Sequence, residues 1–286
     1  MPVLLLQHGG LTSLTGKTGL ALLRHRRGPI AAVIDPDYAH GSLAEITGID
    51  RPVPIVRDLA AAMTHRPAVA VVGLAPSGGV LPDPLRRDAL AALQAGLNLA
   101  SGLHTQLGED PEFKAACHAG QWIWDLRREP PTVQVGQARA AALSCKRVLA
   151  VGTDMAVGKM SACLALQAAA ERHKTVCRFV GTGQAGILIS GRGVPLDAVR
   201  VDYAAGAVEA AVLEAGTGLS EQDLLVVEGQ GSLCHPGSTA TLPLMRGSQP
   251  TALLMVHRAL QTTIGRLPEV PLPPLQECVS LCESLA

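Results

Sequence analysis

Apolar positions come in short unbroken runs, and between the runs they recur at every third or fourth position. Val3–Leu6, Ile30–Ile34 and Ala68–Val72 are continuous apolar runs that read as strands buried on both faces. The stretches Gly19–Arg26, Leu59–Met63 and Arg86–Leu97 carry Ala and Leu at helical spacing. The segment "QWIWDLR", Gln121 to Arg127, is expected to form the last strand of this half. Strands alternating with helices in this way predict βαβ units and a mostly parallel sheet.

The proline pair Pro130–Pro131 then interrupts the pattern, and a domain boundary is expected near it, with domains over 1–140 and 141–286. A second series follows. Arg147–Val151, Thr175–Val180, Leu224–Val227 and Ala252–Val256 read as strands, and Lys159–Arg172 and Tyr203–Leu213 as helices. A proline-rich connector and one last helix close the chain.

Composition narrows the function classes. The 286 residues suit two domains, and 48% hydrophobic residues can fill two cores. A net charge of +0 and 2% aromatics give neither a basic surface nor a stacking platform for nucleic acid. No apolar run reaches the ~20 residues of a membrane span, and "MPVLLLQHGG" lacks the basic lead of a signal peptide. The seven cysteines include no Cys-x-x-Cys pair and read as reduced packing residues of a cytoplasmic protein. Cys278 and Cys282 share one helix face, but two thiols alone make no zinc site.

Two stretches read as phosphate loops. In "RVLAVGTDMAVGKMS", an apolar strand runs into Gly152, and five residues, Thr153 to Val157, separate it from Gly158 and Lys159. Backbone N–H groups of such a loop wrap a diphosphate, the helix start adds partial positive charge, and the lysine neutralises the outer phosphates. The candidate ligand-holding set is Gly152, Thr153, Asp154, Val157, Gly158, Lys159, Met160 and Ser161. A partner strand, "DLLVVEGQGS", ends in Glu228 and opens into a turn at Gly229, Gln230, Gly231 and Ser232. An acid there can reach a metal or act as a general base. The N-terminal "GGLTSLTGKTG" has the same spacing between Gly10 and Gly16, with Lys17 and Thr18 behind it. It lacks an acid-ended partner, since the next strand ends at Asp35 as in a Rossmann-like half, so it is read as a lookalike.

The segment "GTDMAVGK" resembles the loop of dethiobiotin synthetase and its relatives, ATP-using enzymes that activate carboxylates, and "EGQGS" resembles their acid-bearing turn. Those enzymes place Thr or Ser after the lysine for Mg²⁺; here Met160 stands there, with Ser161 one residue later. Together with "FVGTGQAGILISGRGVPLDAV", "VDYAAGAVEAAV", "VVEGQGSLCHPG", "GLAPSGGVLP", "GLNLASGLH" and "WIWDLR", the motifs resemble a family whose described members are D-glutamate N-acetyltransferases. The resemblance implies an α/β protein with a Rossmann-like N-terminal domain and a P-loop NTPase-like C-terminal domain. It also implies that Met160 is usual in the family, and that the P-loop sheet carries a further strand beyond Ala286.

Other candidates are weaker. Gln184, in "TGQAG", is expected at the carboxyl edge of the sheet, where ligands of open α/β sheets bind. Asp154, Asp202 and Glu228 are candidate metal ligands, although Asp154 equally suits a helix cap. His235 or Glu228 could take a proton from an amine. His104, Asp125 and Arg127 could close over a site, or be structural; Arg127, Arg178, Arg192 and Arg246 could hold an acidic substrate.

Three readings follow. The first, ranked by the resemblance, is N-acetylation of a small amino acid such as D-glutamate from acetyl-CoA. The second is an ATP- and Mg²⁺-dependent ligase. The third is a nucleotide-binding protein without catalysis. A small-molecule substrate, no nucleic acid or membrane partner, and a possible homo-oligomer complete the expectations.

Overall fold

The computed structural model describes residues 1–75 and 81–286. The chain divides into two units, Met1–Arg127 and Arg128–Ala286. The first unit runs β1 (Val3–Leu6), α1 (Lys17–His25), β2 (Ile30–Ile34), α2 (Leu43–Thr47), β3 (Ile55–Val56), α3 (Leu59–Met63), β4 (Val69–Val72), α4 (Asp83–Gln94), β5 (Asn98–Ser101), α5 (Pro111–Ala116) and β6 (Ile123–Asp125). Its six strands are all parallel, in the order β3-β2-β1-β4-β5-β6. Every residue of β1 and β4 is buried, as their unbroken apolar runs require. The core packs Leu4, Leu6, Ile34 and Val72 of the strands against Leu85 and Leu93 of α4 and Phe113 of α5.

Helix starts differ from the periodic pattern for local reasons. The helix expected over Arg86–Leu97 begins at Asp83, because Pro84 is tolerated in the first turn, and it ends at Gln94 ahead of Gly96 at φ +95°. Arg51 closes the carboxyl end of α1: its Nη1 donates to Leu23 O at 3.2 Å and Arg26 O at 2.7 Å, and its Nη2 to Gly28 O at 2.8 Å.

The glycines of the N-terminal lookalike loop serve packing. Gln7 is fully buried at the end of β1, and its Nε2 donates to Gly16 O at 3.0 Å. A Cβ on Gly19 or Gly73 would lie 1.9 or 2.1 Å from Gln7 Oε1, so both positions must stay bare. Lys17 points into solvent while Thr18 is buried. Asp35, beyond β2, accepts the Gly9 N–H at 2.8 Å and so braces the same loop. Of the motif Gly73–Pro82, residues 76–80 lie outside the described residues.

The second unit runs β7 (Lys146–Gly152), α6 (Lys159–Arg172), β8 (Cys177–Val180), α7 (Gln184–Ser190), α8 (Ala204–Gly216), β9 (Leu224–Val227), α9 (Thr241–Ser248), β10 (Ala252–Val256), β11 (Thr263–Ile264), β12 (Leu267–Pro271) and α10 (Leu275–Leu285). Four parallel strands lie in the order β10-β7-β9-β8, and β11 and β12 form an antiparallel hairpin. The core joins Leu149, Val180, Leu225 and Val227 of the sheet to Val208 and Val212 of α8 and Leu244 of α9. Among the described residues, no helix is long and apolar enough to cross a membrane. Both sheets bear out the mostly parallel α/β expectation.

Candidate functional site

Strand register places the site. Leu149 of β7 lies opposite Val227 of β9, and β7 continues three residues further, to Gly152. The loop Thr153–Gly158 is thereby carried past the strand end that presents Glu228. Gly229 fits only without a side chain, because a Cβ there would lie 1.8 Å from Ala150 O and 2.9 Å from Lys159 Cδ.

The loop has the form that a diphosphate needs. Gly158 turns at φ +105° and is the N-cap of α6, a helix of 14 residues with no side chain capping its start. The N–H groups of Val157, Gly158, Lys159 and Met160 donate to no acceptor among the described residues. Lys159 is buried, and its Nζ bends back to donate to Asp154 O at 2.8 Å. Burial lowers the Lys159 ammonium to about 8, against the pull of Asp154 and Glu228. Such helix-start donors beside a desolvated ammonium suit an anionic diphosphate.

Glu228 stands across from this lysine. Its Oε2 accepts the N–H groups of Thr182 at 2.8 Å and Gly183 at 3.2 Å, and Thr182 Oγ1 donates to Glu228 O at 2.9 Å. Oε1 takes no hydrogen bond among the described residues. Burial pushes the carboxyl up to about 7; the two N–H bonds and the Lys159 charge oppose that rise without cancelling it. The pair therefore combines an acid that ionises near neutrality with an ammonium that loses its proton not far above it.

The remaining candidates take distinct places. Thr153 is buried; its N–H donates to Val256 O at 3.2 Å, and its Oγ1 shares a hydrogen bond with His257 Nδ1 at 3.1 Å. Asp154 does not cap α6. Its Oδ1 accepts the Met155 N–H at 2.6 Å, and its Oδ2 accepts from Gln261 Nε2 at 2.5 Å and from the Gly265 N–H at 2.7 Å. It thus fastens the loop to the β11–β12 hairpin. Met160 directs its side chain into the cluster of Ala150, Cys163, Phe179 and Val226, and Ser161 is exposed on the first turn of α6. Gln184 opens α7, and the Gln230 amide rests against Gly183, where a Cβ would lie 2.5 Å from Nε2. Gly231 turns at φ +65°, and Ser232 Oγ donates to Thr153 O at 2.9 Å, joining the two loops.

His235 is buried in the same turn. Its Nδ1 accepts the Gly237 N–H at 3.0 Å, which puts the ring proton of the neutral imidazole on Nε2. Asp202 is exposed on the turn before α8. Among the described residues, no group of three or more His, Cys, Asp and Glu converges as a metal site, so Asp154, Asp202 and Glu228 form no such set. Arg178 caps α8 by donating to Ala215 O and Thr217 O, each at 2.7 Å. Asp125 braces the turn after β5 by accepting the Leu107 and Gly108 N–H groups at 2.9 and 2.8 Å, while His104 is exposed. Thr182 opens the "TGQAG" segment expected at the sheet edge, whereas His257, Gln261 and Gly265 belong to no motif; only the glycine in "TTIGRLP" marks the hairpin.

Residues 134–286 match the P-loop domain of the DUF1611 family, described as a domain of unknown function, and residues 37–129 match its Rossmann-like N-terminal domain. A D-glutamate N-acetyltransferase of Tritonibacter scottomollicae is 40% identical over 218 residues, 76% of this chain and 64% of that protein. Another from a Pseudoalteromonas species is 35% identical over 213 residues, 74% of this chain and 62% of that protein. The aligned part is thus a little under two thirds of either relative's length. The crystal structure of a DUF1611 family protein from Anabaena variabilis superposes with a TM-score of 0.93 at 53% identity, covering 100% of this chain and 82% of that one. With its Rossmann-like and P-loop halves both matched, the chain belongs to the DUF1611 family, among whose relatives are D-glutamate N-acetyltransferases.

Proposed function

We propose that this protein transfers an acetyl group from acetyl-CoA to the amine of a small amino acid, with D-glutamate the acceptor that its relatives' names suggest. The observation that carries this reading is the loop Gly152–Ser161. It offers a buried ammonium and four N–H groups that meet no acceptor among the described residues, while the side chain that would bind Mg²⁺ in a nucleotide hydrolase is Met160, turned into the core. Such a loop suits a diphosphate that is held and not cleaved, as in coenzyme A.

Bound there, acetyl-CoA would supply an acyl thioester. Lys159 and the helix-start N–H groups would hold its diphosphate. An amine attacks a thioester only after losing a proton, and Glu228 Oε1 takes no hydrogen bond among the described residues, Oε2 being the oxygen held by Thr182 and Gly183. With its carboxyl at about 7, Glu228 accepts that proton at neutral pH. The thiolate then leaves as coenzyme A. His235, with a proton on Nε2, is a donor for the departing sulfur.

The test is incubation of the protein with D-glutamate and acetyl-CoA, without ATP or Mg²⁺, followed by mass spectrometry for N-acetylglutamate. Product from the native chain and none from Lys159→Ala supports the reading. Turnover only with ATP and Mg²⁺, with ADP released, replaces it by carboxylate activation. Tight CoA or ADP binding without any product replaces it by a binding role.

A further inference from the structure

Three of the seven thiols meet beside the loop that follows Glu228. Cys234 lies on that loop and is partly exposed, whereas Cys278 and Cys282, one turn apart on α10, are 2% and 4% exposed. The Sγ atoms of Cys234 and Cys278 are 3.4 Å apart, and Cys278 Sγ also donates to Pro273 O at 3.6 Å. A disulfide bond is ~2.05 Å long, so closure asks for a shift well within the reach of side-chain rotation and a loop.

We propose that Cys234 and Cys278 form a reversible disulfide that fastens the loop after Glu228 to α10. Exposure sets the order of events. Burial holds the Cys278 and Cys282 thiols protonated, pushing them up to about 12 and about 11, so neither starts the reaction. Cys234 is the sulfur that a peroxide meets. Its thiolate attacks one peroxide oxygen, the O–O bond breaks, and a sulfenic acid and hydroxide result. The Cys278 sulfur then attacks the sulfenic sulfur, its proton joins the departing hydroxyl, and water leaves. The balance is two thiols and one peroxide to one disulfide and two waters. A dithiol reductant reverses it by exchange.

The bond would act on the phosphate loop through a short chain of contacts. The Cys234 N–H donates to Ser232 Oγ at 3.1 Å, and Ser232 Oγ donates to Thr153 O at 2.9 Å. Fastening Cys234 to α10 restrains the residue that holds Ser232 on the loop. The cysteines elsewhere in this unit are too buried to compete: Cys145, Cys163 and Cys177 are 1%, 0% and 6% exposed.

The full chain is treated with hydrogen peroxide, alkylated and mapped by non-reducing peptide mass spectrometry. Native protein, Cys278→Ser and Cys282→Ser are compared, with hydrogen exchange followed at the amides of residues 232–237. The expected result is a Cys234–Cys278 linked peptide that dithiothreitol removes, kept in Cys282→Ser and lost in Cys278→Ser. Exchange at 232–237 should slow severalfold on oxidation only where that link forms. Alkylatable Cys278 beside over-oxidised Cys234, or a link to Cys282 instead, overturns the proposal. A Cys234–Cys278 link with unchanged exchange overturns its action on the loop. None of these readouts depends on acyl transfer.

Discussion

Lys159 Nζ donates to the carbonyl oxygen of Asp154 at 2.8 Å, so the lysine folds back over its own loop. Lys17, at the same place in the N-terminal lookalike, stands in solvent. The two stretches share a spacing and differ in what surrounds the lysine. One lies by Glu228 and N–H groups that meet no acceptor among the described residues; the other is exposed on a loop whose glycines pack against the Gln7 amide. Lys159→Ala is therefore expected to weaken CoA binding by roughly 10- to 100-fold, the range of a charged hydrogen bond. Lys17→Ala should leave it unchanged. Titration calorimetry on both variants decides the matter, and equal losses would place the phosphate elsewhere.

The ionisable pair predicts a narrow pH optimum. Glu228 must be ionised to accept a proton, so activity rises as pH climbs through about 7. Lys159 must be charged to meet the free diphosphate, so kcat/KM falls again above about 8. The kcat profile should lose the alkaline limb, because a bound phosphate raises the lysine's affinity for its proton. A profile of kcat/KM that is flat from pH 6 to 9 would remove Glu228 as the base.

Glu228 also costs stability, and its sign is fixed by the direction of its shift. Its proton is held more tightly in the folded chain than in the unfolded one, so its contribution is full below the ordinary 4.5 and is lost as pH rises through about 7. Glu228→Gln removes that loss while keeping an oxygen for the Thr182 N–H. The variant is expected to match the native melting temperature near pH 4.5 and to exceed it at pH 8, while transferring no acetyl group. Thermal unfolding at the two pH values tests this; a variant less stable at pH 8 contradicts it.

Much of this site could be read from the chain because it depends on residues close in sequence. The spacing of Gly152, Gly158 and Lys159 dictates a strand, a tight loop and a helix start, and the apolar run before Glu228 dictates a neighbouring strand. What joins the segments was not legible. Asp154 reads locally as a helix cap, yet its carboxylate meets Gln261 and Gly265 more than a hundred residues away. Nothing in "TGQAG" links Thr182 to Glu228, and only the parallel pairing of β8 with β9 brings its N–H there. β3 and β11, of two residues each, are too short to set a period.

Gly229 offers a steric test of the register between β7 and β9. A methyl group there would sit 1.8 Å from Ala150 O and 2.9 Å from Lys159 Cδ, and backbone cannot yield as a flexible side chain does. Gly229→Ala is expected to destabilise the fold by about 1–3 kcal/mol, the usual range for overpacking. Because the strain falls on Lys159 as well, CoA affinity should drop even where the protein is fully folded. Urea unfolding and calorimetry at low temperature separate the two effects.

Glu209 shows the opposite electrostatics from Glu228. It is fully buried on α8, accepts the Gln137 and Arg139 N–H groups at 3.1 and 2.7 Å, and pairs with Arg139 Nε at 2.8 Å. Burial alone would raise its carboxyl, but the Arg139 bond and the two N–H bonds outweigh burial and bring it below the ordinary value. Its stabilisation is thus present above about 4.5 and is lost as pH falls through the lower, folded value. Glu209→Ala leaves two backbone donors without an acceptor and should cost about 2–4 kcal/mol at pH 7. Glu209→Gln keeps an acceptor and should cost less. It should also flatten the acid limb of the stability curve, since no carboxylate remains there to protonate. Urea unfolding at pH 7 and at pH 3.5 checks both statements, and an acid limb of native steepness in Glu209→Gln would assign that limb to other carboxylates.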